Sequence, residues 1–326
     1  MAIPIVDFGK FLNGSKAERQ EAAFEIDAAF RNVGFVFLKN HSVAREKLID
    51  CFKWSKRFFD LEEEVKMLAP HPPGGSHHRG YSGVGLEKVT QNVFSEEDLE
   101  ALRQIPDVKE SFESGNVDDE QQPNIWLPED KLPGFRPFME SFFTDCRDLI
   151  HYILRSLALA LDLESENQLS DTHAQSLFQL RLLHYPAVPV KFLADGKKSR
   201  ISAHSDFGTL TLLFQDAIGG LEIEDPKQPG VFRKVEPIED AVLVNIGDLM
   251  ERWSNSRWRS TVHRVVAPPG ENEMCPPRYS IPFFATADPD TMIEALPGCW
   301  SETNPKRFDS VTAWGYVQMR MAALYE

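Results

Sequence analysis

Apolar positions repeat with two different periods along the chain, and the change of period divides it. In the first half they recur at helical spacing. Ser15 followed by Glu18 reads as a capping box, opening a helix whose apolar face is Ala23, Ile26, Phe30 and Val33. Gly34 stops that helix, and the run Phe35-Val36-Phe37-Leu38 reads as a buried strand. Residues 3–6 read as a short edge strand, because Pro4 cannot donate to a ladder. A second helix is expected from about 43 to 59, and a long amphipathic one from about 137 to 161 with Phe138, Phe142, Leu149, Ile153 and Leu157 inward. Between them lie a Pro-, Gly- and His-rich loop over 70–85, whose composition suits no regular element, and an acidic stretch over 96–122 expected at the surface.

From residue 177 short β-rich runs follow one another, at 177–185, 200–206, 209–214, 220–224, 231–235, 241–246, 259–266 and 278–285, with Gly, Pro, Asp and Asn between them. Short strands at that spacing predict a double-sheet jelly roll, a double-stranded β-helix. A last helix, 311–324, is expected to pack outside it. The fold class is therefore mainly β with flanking α: a mostly helical region over 1–165, a jelly-roll core over 177–290 and a C-terminal helix. Without internal repeats or a flexible linker, 1–326 is expected to form one unit.

Composition narrows the function. The 326 residues are 42% hydrophobic, and 35 Lys+Arg against 50 Asp+Glu give a net charge of −15. Such a field repels phosphate backbones and anionic lipid, so neither nucleic acid nor a membrane surface is an expected partner. The four cysteines (Cys51, Cys146, Cys275, Cys299) form no CxxC pair, which argues against a disulfide framework and fits a reducing cytoplasm. The opening MAIPIVDF has no signal-peptide pattern. The longest apolar stretch, 150–163, is broken by His151 and Arg155 and reads as a core helix.

The candidate chemistry lies in the β-rich half. On a strand His204 and Asp206 would share a face, and His263 from a distant strand would complete two imidazoles and one carboxylate on one side of a metal. That arrangement leaves positions open for a bidentate co-substrate and O₂ on Fe(II). Alone, a His-x-Asp triplet is more often a surface turn. Arg278 and Ser280, again two apart, offer a fork and a hydroxyl to a carboxylate; the alternative is an Arg paired with an acidic neighbour. Arg181 and Tyr185 share one face of the 177–185 strand, where Tyr185 could reach the same carboxylate and Arg181 either a substrate or solvent.

Taken in order, these residues resemble the 2-oxoglutarate and Fe(II)-dependent dioxygenases, in their isopenicillin N synthase-like branch. The likeness runs through IPIVDF, GFVFLKNH (34–41), HRGYSGVGLEKV (78–89), KESFESG (109–115), HSDFGTLTLLFQD, GGLEI, VNIGDLMERWSN, STVHRVV and RYSIPFF. It implies His204, Asp206 and His263 as iron ligands, with Arg278, Ser280 and Tyr185 on 2-oxoglutarate, and Fe(II), 2-oxoglutarate and O₂ as cofactor and co-substrates. Plant relatives often carry Asn where Leu183 stands, so that Asn does not carry over. The 70–89 loop is most similar to fungal members, which tailor polyketides and other secondary metabolites or oxidise pyrimidines. Hydroxylation of a small organic molecule, with desaturation or rearrangement as other endings, is the expected reaction. Substrate contacts are assigned to Arg181, to His77, His78, Arg79 and Tyr81 of the loop, and to Val317 to Met321. The competing readings are a 2-oxoglutarate-independent oxidase of the same fold, a pyrimidine-type hydroxylase, a non-catalytic ligand-binding member and a zinc hydrolase.

Overall fold

Ser15 accepts from the Glu18 amide while Glu18 reaches back to the Ser15 amide, so the expected capping box is formed. A computed structural model describes residues 2–73, 77–85, 107–190, 200–267 and 273–325, side chains excepted from 321 on. Its helices are α1 (Gly9–Asn13), α2 (Lys16–Asn32), α3 (Arg45–Phe59), α4 (Glu63–Lys66), α5 (Phe135–Ala160), α6 (Gln168–Asp171), α7 (Asp248–Trp253) and α8 (Ala313–Tyr325). The strands are β1 (Ile5–Asp7), β2 (Phe35–Lys39), β3 (Gly80–Ser82), β4 (Glu110–Gly115), β5 (Gln179–Tyr185), β6 (Val188–Pro189), β7 (Ile201–His204) and β8 (Leu210–Gln215). They continue with β9 (Leu221–Asp225), β10 (Gln228–Lys234), β11 (Ala241–Ile246), β12 (His263–Val265), β13 (Met274–Cys275), β14 (Arg278–Ala285), β15 (Met292–Ile293) and β16 (Val311–Thr312).

Two sheets face each other as a jelly roll. The larger runs β1-β2-β11-β8-β14-β5-β4-β3 and the smaller β10-β9-β12-β7. Alternation along each strand sorts its side chains between two cores. On β5, Leu180 and Leu182 join the core beneath α2 and α5, while Leu183 and Tyr185 join Phe35, Phe37, Ile201, Ile223, Leu243 and Val265 between the sheets. Arg278, Ser280 and Asp206 are among the polar groups buried in the protein.

Two expectations need correction. The acidic stretch is not all surface: Glu110–Gly115 forms β4, buried along its length between β3 and β5, while 96–106 lie outside the described residues. Its acids are paired inside, Glu110 with Lys66 and His184 and Glu113 with Arg181. The Gly- and His-rich loop carries the short strand β3. The strands expected near 3–6 and 35–38 form β1 and β2 at one edge of the large sheet, and β4 and β3 add its other edge. Among the described residues no helix is long and apolar enough to cross a membrane.

Gly34 shows how closely this assembly fits. Its φ is +79°, and a Cβ there would collide with the Arg259 carbonyl oxygen and with Thr261 Oγ1. Only glycine lets the segment leading to His263 lie against the end of α2. Thr261 donates to the Val33 carbonyl at 2.7 Å across that contact.

Candidate active site

β7 and β12 pair antiparallel with His204 and His263 as register partners. That register sets the two rings 4.3 Å apart between centroids. The strand ends at His204, so Asp206 belongs to the following turn rather than to the strand expected over 200–206. It still converges: its Oδ1 lies 3.9 Å from His204 Nε2 and 3.8 Å from His263 Nε2. The three ligand atoms all fall within 4.8 Å of one another.

Each group is held from behind. His204 Nδ1 donates to the Ser202 carbonyl at 2.8 Å and His263 Nδ1 to the Thr261 carbonyl at 3.2 Å, which leaves both Nε2 lone pairs toward the gap. Asp206 Oδ2 accepts from Thr211 Oγ1 at 2.6 Å and Asn245 Nδ2 at 2.7 Å, turning Oδ1 to the imidazoles. Sequence singles out neither Thr211 nor Asn245; each faces inward from a neighbouring strand, and they are register partners. The Asp206–Gly208 turn is tied to α7 by the Asp248 amide, 2.8 Å from the Asp206 carbonyl. Gly208 packs so tightly that a Cβ would collide with the Ala285 carbonyl oxygen.

The protonation states suit a cation. Burial pushes the His204 imidazole down to about 3, with His263 beside it adding to the effect. Burial works to raise the Asp206 carboxyl, but His263, His204 and the bonds from Asn245 and Thr211 outweigh it and hold it below the usual range. Two imidazoles and one carboxylate, with their other polar atoms already satisfied, match the donor set of Fe(II).

Deeper on the inner face, Arg278 pairs across the ladder with Tyr185, and Ser280 with Leu183. The Arg278 guanidinium is buried, donates to Ser280 Oγ and to Gln215 Oε1 at 3.1 Å each, and lies 4.9 Å from the Tyr185 ring centroid. A second buried guanidinium, which carries no sequence signal, belongs to Arg200, 5.6 Å from the same ring and bonded to the Pro276 carbonyl. Burial, with Arg278 nearby, lowers its pKa. Arg278 Nε and Arg200 Nε and Nη1 are buried without hydrogen-bond partners among the described residues. Two buried cations with unfilled donors beside one ring call for an anion, and a carboxylate fits.

The expected substrate residues divide. Arg181 faces inward, paired with the fully buried Glu113 and 5.7 Å from the Phe284 ring centroid. His78 Nδ1 is 3.5 Å from Glu113 Oε2, and His71, not foreseen, completes a second cluster of two imidazoles and a carboxylate. Arg79 and Tyr81 are placed elsewhere. Arg79 is buried on Asp119 and the Gln122 and His78 carbonyls. Tyr81 donates to Glu110 Oε2 at 2.7 Å in the outer core. Alternation explains Tyr81: Gly80 and Ser82 pair with Glu113 and Ser111 on the inner face, so Tyr81 points to the helices. His77 is half-buried at the end of a described segment. In α8, Val317 packs on the outer core and Met319 is exposed, while the Met321 side chain lies outside the description.

Comparison with known proteins places the whole chain in one family. Residues 176–287 match the family described as the 2OG-Fe(II) oxygenase superfamily, and residues 3–129 match the non-haem dioxygenase in morphine synthesis N-terminal family. The chain is 41% identical to the 2-oxoglutarate-dependent dioxygenase frbA of Dothideomycetidae sp., covering 100% of this chain and 98% of that one. It is 38% identical to the proline hydroxylase buaE of Petromyces alliaceus, covering 100% of both. A full-length Neurospora crassa protein, solved in complex with alpha-KG (2-oxoglutarate) and thymine, superposes with a TM-score of 0.88 at 38% identity, covering 99% of this chain and 97% of that one.

Proposed function

This chain belongs to the 2-oxoglutarate- and Fe(II)-dependent oxygenase superfamily, and from that premise we propose which residues do its work and what kind of molecule it oxidises. His204, Asp206 and His263 hold the iron. Arg278, with Ser280 and Tyr185, receives the far carboxylate of 2-oxoglutarate, and Arg200 adds a second cation behind it. The observation that carries this reading is the pair of buried guanidinium groups with unfilled donors beside Tyr185, whose ring belongs to the core between the two sheets.

When bound, iron and 2-oxoglutarate supply the oxidising power, O₂ being consumed as the co-substrate loses CO₂ and becomes succinate. The protein places and shields. Thr211 and Asn245 fix which oxygen of Asp206 faces the metal. Ser202 and Thr261 fix the imidazole tautomers. Phe35, packed edge-on at 5.6 Å from the His263 ring, and the inner core keep water from that side.

The substrate is a small molecule bound near Glu113, Arg181 and His78. A carboxylate and a guanidinium side by side suit a compound with an N–H donor beside a carbonyl or carboxylate oxygen, such as an amino-acid or imide unit of a secondary metabolite. Proline, named for the buaE relative, and thymine, bound by the Neurospora crassa protein, both carry that pairing. Residues Arg79 and Tyr81 hold this end of the barrel in shape rather than touching substrate.

The test is an anaerobic titration of the Fe(II)-loaded protein with 2-oxoglutarate, following the visible charge-transfer band of the chelate. Arg278→Ala removes charge-assisted bonds of about 1.5–3 kcal/mol each, so its 2-oxoglutarate dissociation constant rises at least about 10-fold. A variant that titrates like the parent protein would move the carboxylate site elsewhere.

A further inference from the structure

The carboxylate of Asp248, at the first residue of α7, touches three separate segments. Its Oδ2 accepts from Ser205 Oγ at 3.2 Å, and Ser205 stands between the ligands His204 and Asp206. Its Oδ1 accepts from Ser260 Oγ at 2.6 Å, three residues ahead of His263. From α8, Arg320 Nη1 pairs with Oδ2, and the Tyr316 hydroxyl lies 3.5 Å from the same oxygen. Arg320 also donates to Tyr316 at 3.1 Å, and its guanidinium sits 4.4 Å from the ring centroid of Phe207, the residue after Asp206. Both charged side chains are largely shielded, Arg320 at 14% and Asp248 at 12% exposure.

We propose that Arg320 is a positioning residue for the metal site, acting through Asp248 to hold the two ligand-bearing segments at a fixed separation. This rests on the reading that His204, Asp206 and His263 hold the iron. The physical argument concerns charge. Asp248 is a shielded anion whose neutral partners, Ser205 and Ser260, belong to the two segments that must stay in register. Arg320 is the cation that keeps this anion in place. Without it the carboxylate gains by turning toward water, since a shielded charge that loses its partner is costly. The two serine bonds then slacken together, and the stack on Phe207 goes with them. The C-terminal helix is thereby coupled to the ligand geometry although Arg320 touches no ligand atom. Glu251 shares the task by accepting from the Ser260 amide at 2.6 Å.

The experiment uses the full chain and Co(II) as a spectroscopic stand-in for iron, with His204→Ala as control. The parent protein binds one Co(II), and His204→Ala binds none at that site; equal binding by the two would sink the ligand reading itself. With that reading intact, Arg320→Ala weakens Co(II) binding by about 10-fold, within the range for partners that orient ligands, and shifts the cobalt visible bands. Arg320→Lys keeps the cation and recovers most of the affinity. A lower melting temperature with unchanged cobalt affinity and spectrum would reduce Arg320 to a structural brace and overturn the proposal. In an Asp248→Asn background, Arg320→Ala should add little, because the two act through one contact; full additivity would also overturn it. Should Arg320→Ala fold poorly, the same comparison is made between Arg320→Lys and Arg320→Gln, where affinity must follow the charge.

Discussion

Among the described residues two clusters each bring together two imidazoles and a carboxylate, and they differ in what stands behind the carboxylate. At one, Asp206 shows one oxygen to His204 and His263, while neutral donors from Thr211 and Asn245 hold the other. At the other, Glu113 faces His78 and His71, but its second oxygen is paired with the Arg181 cation. A neutral donor orients a carboxylate and leaves its charge to attract a metal; a guanidinium orients it and cancels that charge. The ligand list alone therefore does not tell a metal site from a recognition site. On the proposed reading, the groups one bond further out do.

The largest contrast comes from removing each carboxylate. Asp206→Ala should show no Fe(II) binding in a dialysis or cobalt titration, with turnover at background. Glu113→Ala should keep its iron and instead lose affinity for substrate. Iron retained in the first or lost in the second would reverse the assignment. A smaller effect tests the neutral donors: Asn245→Ala should weaken Fe(II) binding by about 10- to 100-fold while 2-oxoglutarate decarboxylation persists at saturating metal, since the carboxylate stays but turns more freely. Unchanged affinity would show that Thr211 alone suffices. The subtlest test tries to convert one cluster into the other. Arg181→Leu leaves Glu113 facing two imidazoles without that cation, so the metal-free protein should melt lower, and added Zn(II) should raise it and bring bound metal from one to two per chain. A stoichiometry that stays at one would mean that charge at Arg181 is not what separates the clusters.

Much of this is readable in the sequence wherever the signal is local. The Ser15–Glu18 cap, the helical faces and the succession of short strands follow from spacing within a few residues. The two-residue spacings of His204 with Asp206 and Arg278 with Ser280 are local too, and each pair lies together in the structure even though the strand ends at His204. What fails depends on partners far along the chain. Glu110 and Glu113 read as solvent-facing acids because Lys66, His184 and Arg181 cancel them only after folding. Asn245 lies 39 residues from the Asp206 it orients, and Arg200 sits in a segment with no motif of its own. Sequence puts Tyr81 and Arg79 on substrate because nothing local marks a strand in their loop. Once β3 is recognised, alternation alone sends Tyr81 outward.

The strand order has a consequence for how the polypeptide is made. β1 and β2 occupy one margin of the large sheet and β4 and β3 the other, while β11, β8, β14 and β5 fill the middle. A ribosome delivers those margins first. β1 can pair with β2 and β3 with β4 early, but the inner edge of β2 waits for β11 and that of β4 for β5, and the ladder between β4 and β5 closes over a sequence gap that includes the whole of α5. Non-local pairings of this kind are slow to form and leave open strand edges in the meantime. Slower synthesis therefore lengthens the time for which those edges stay open to other chains.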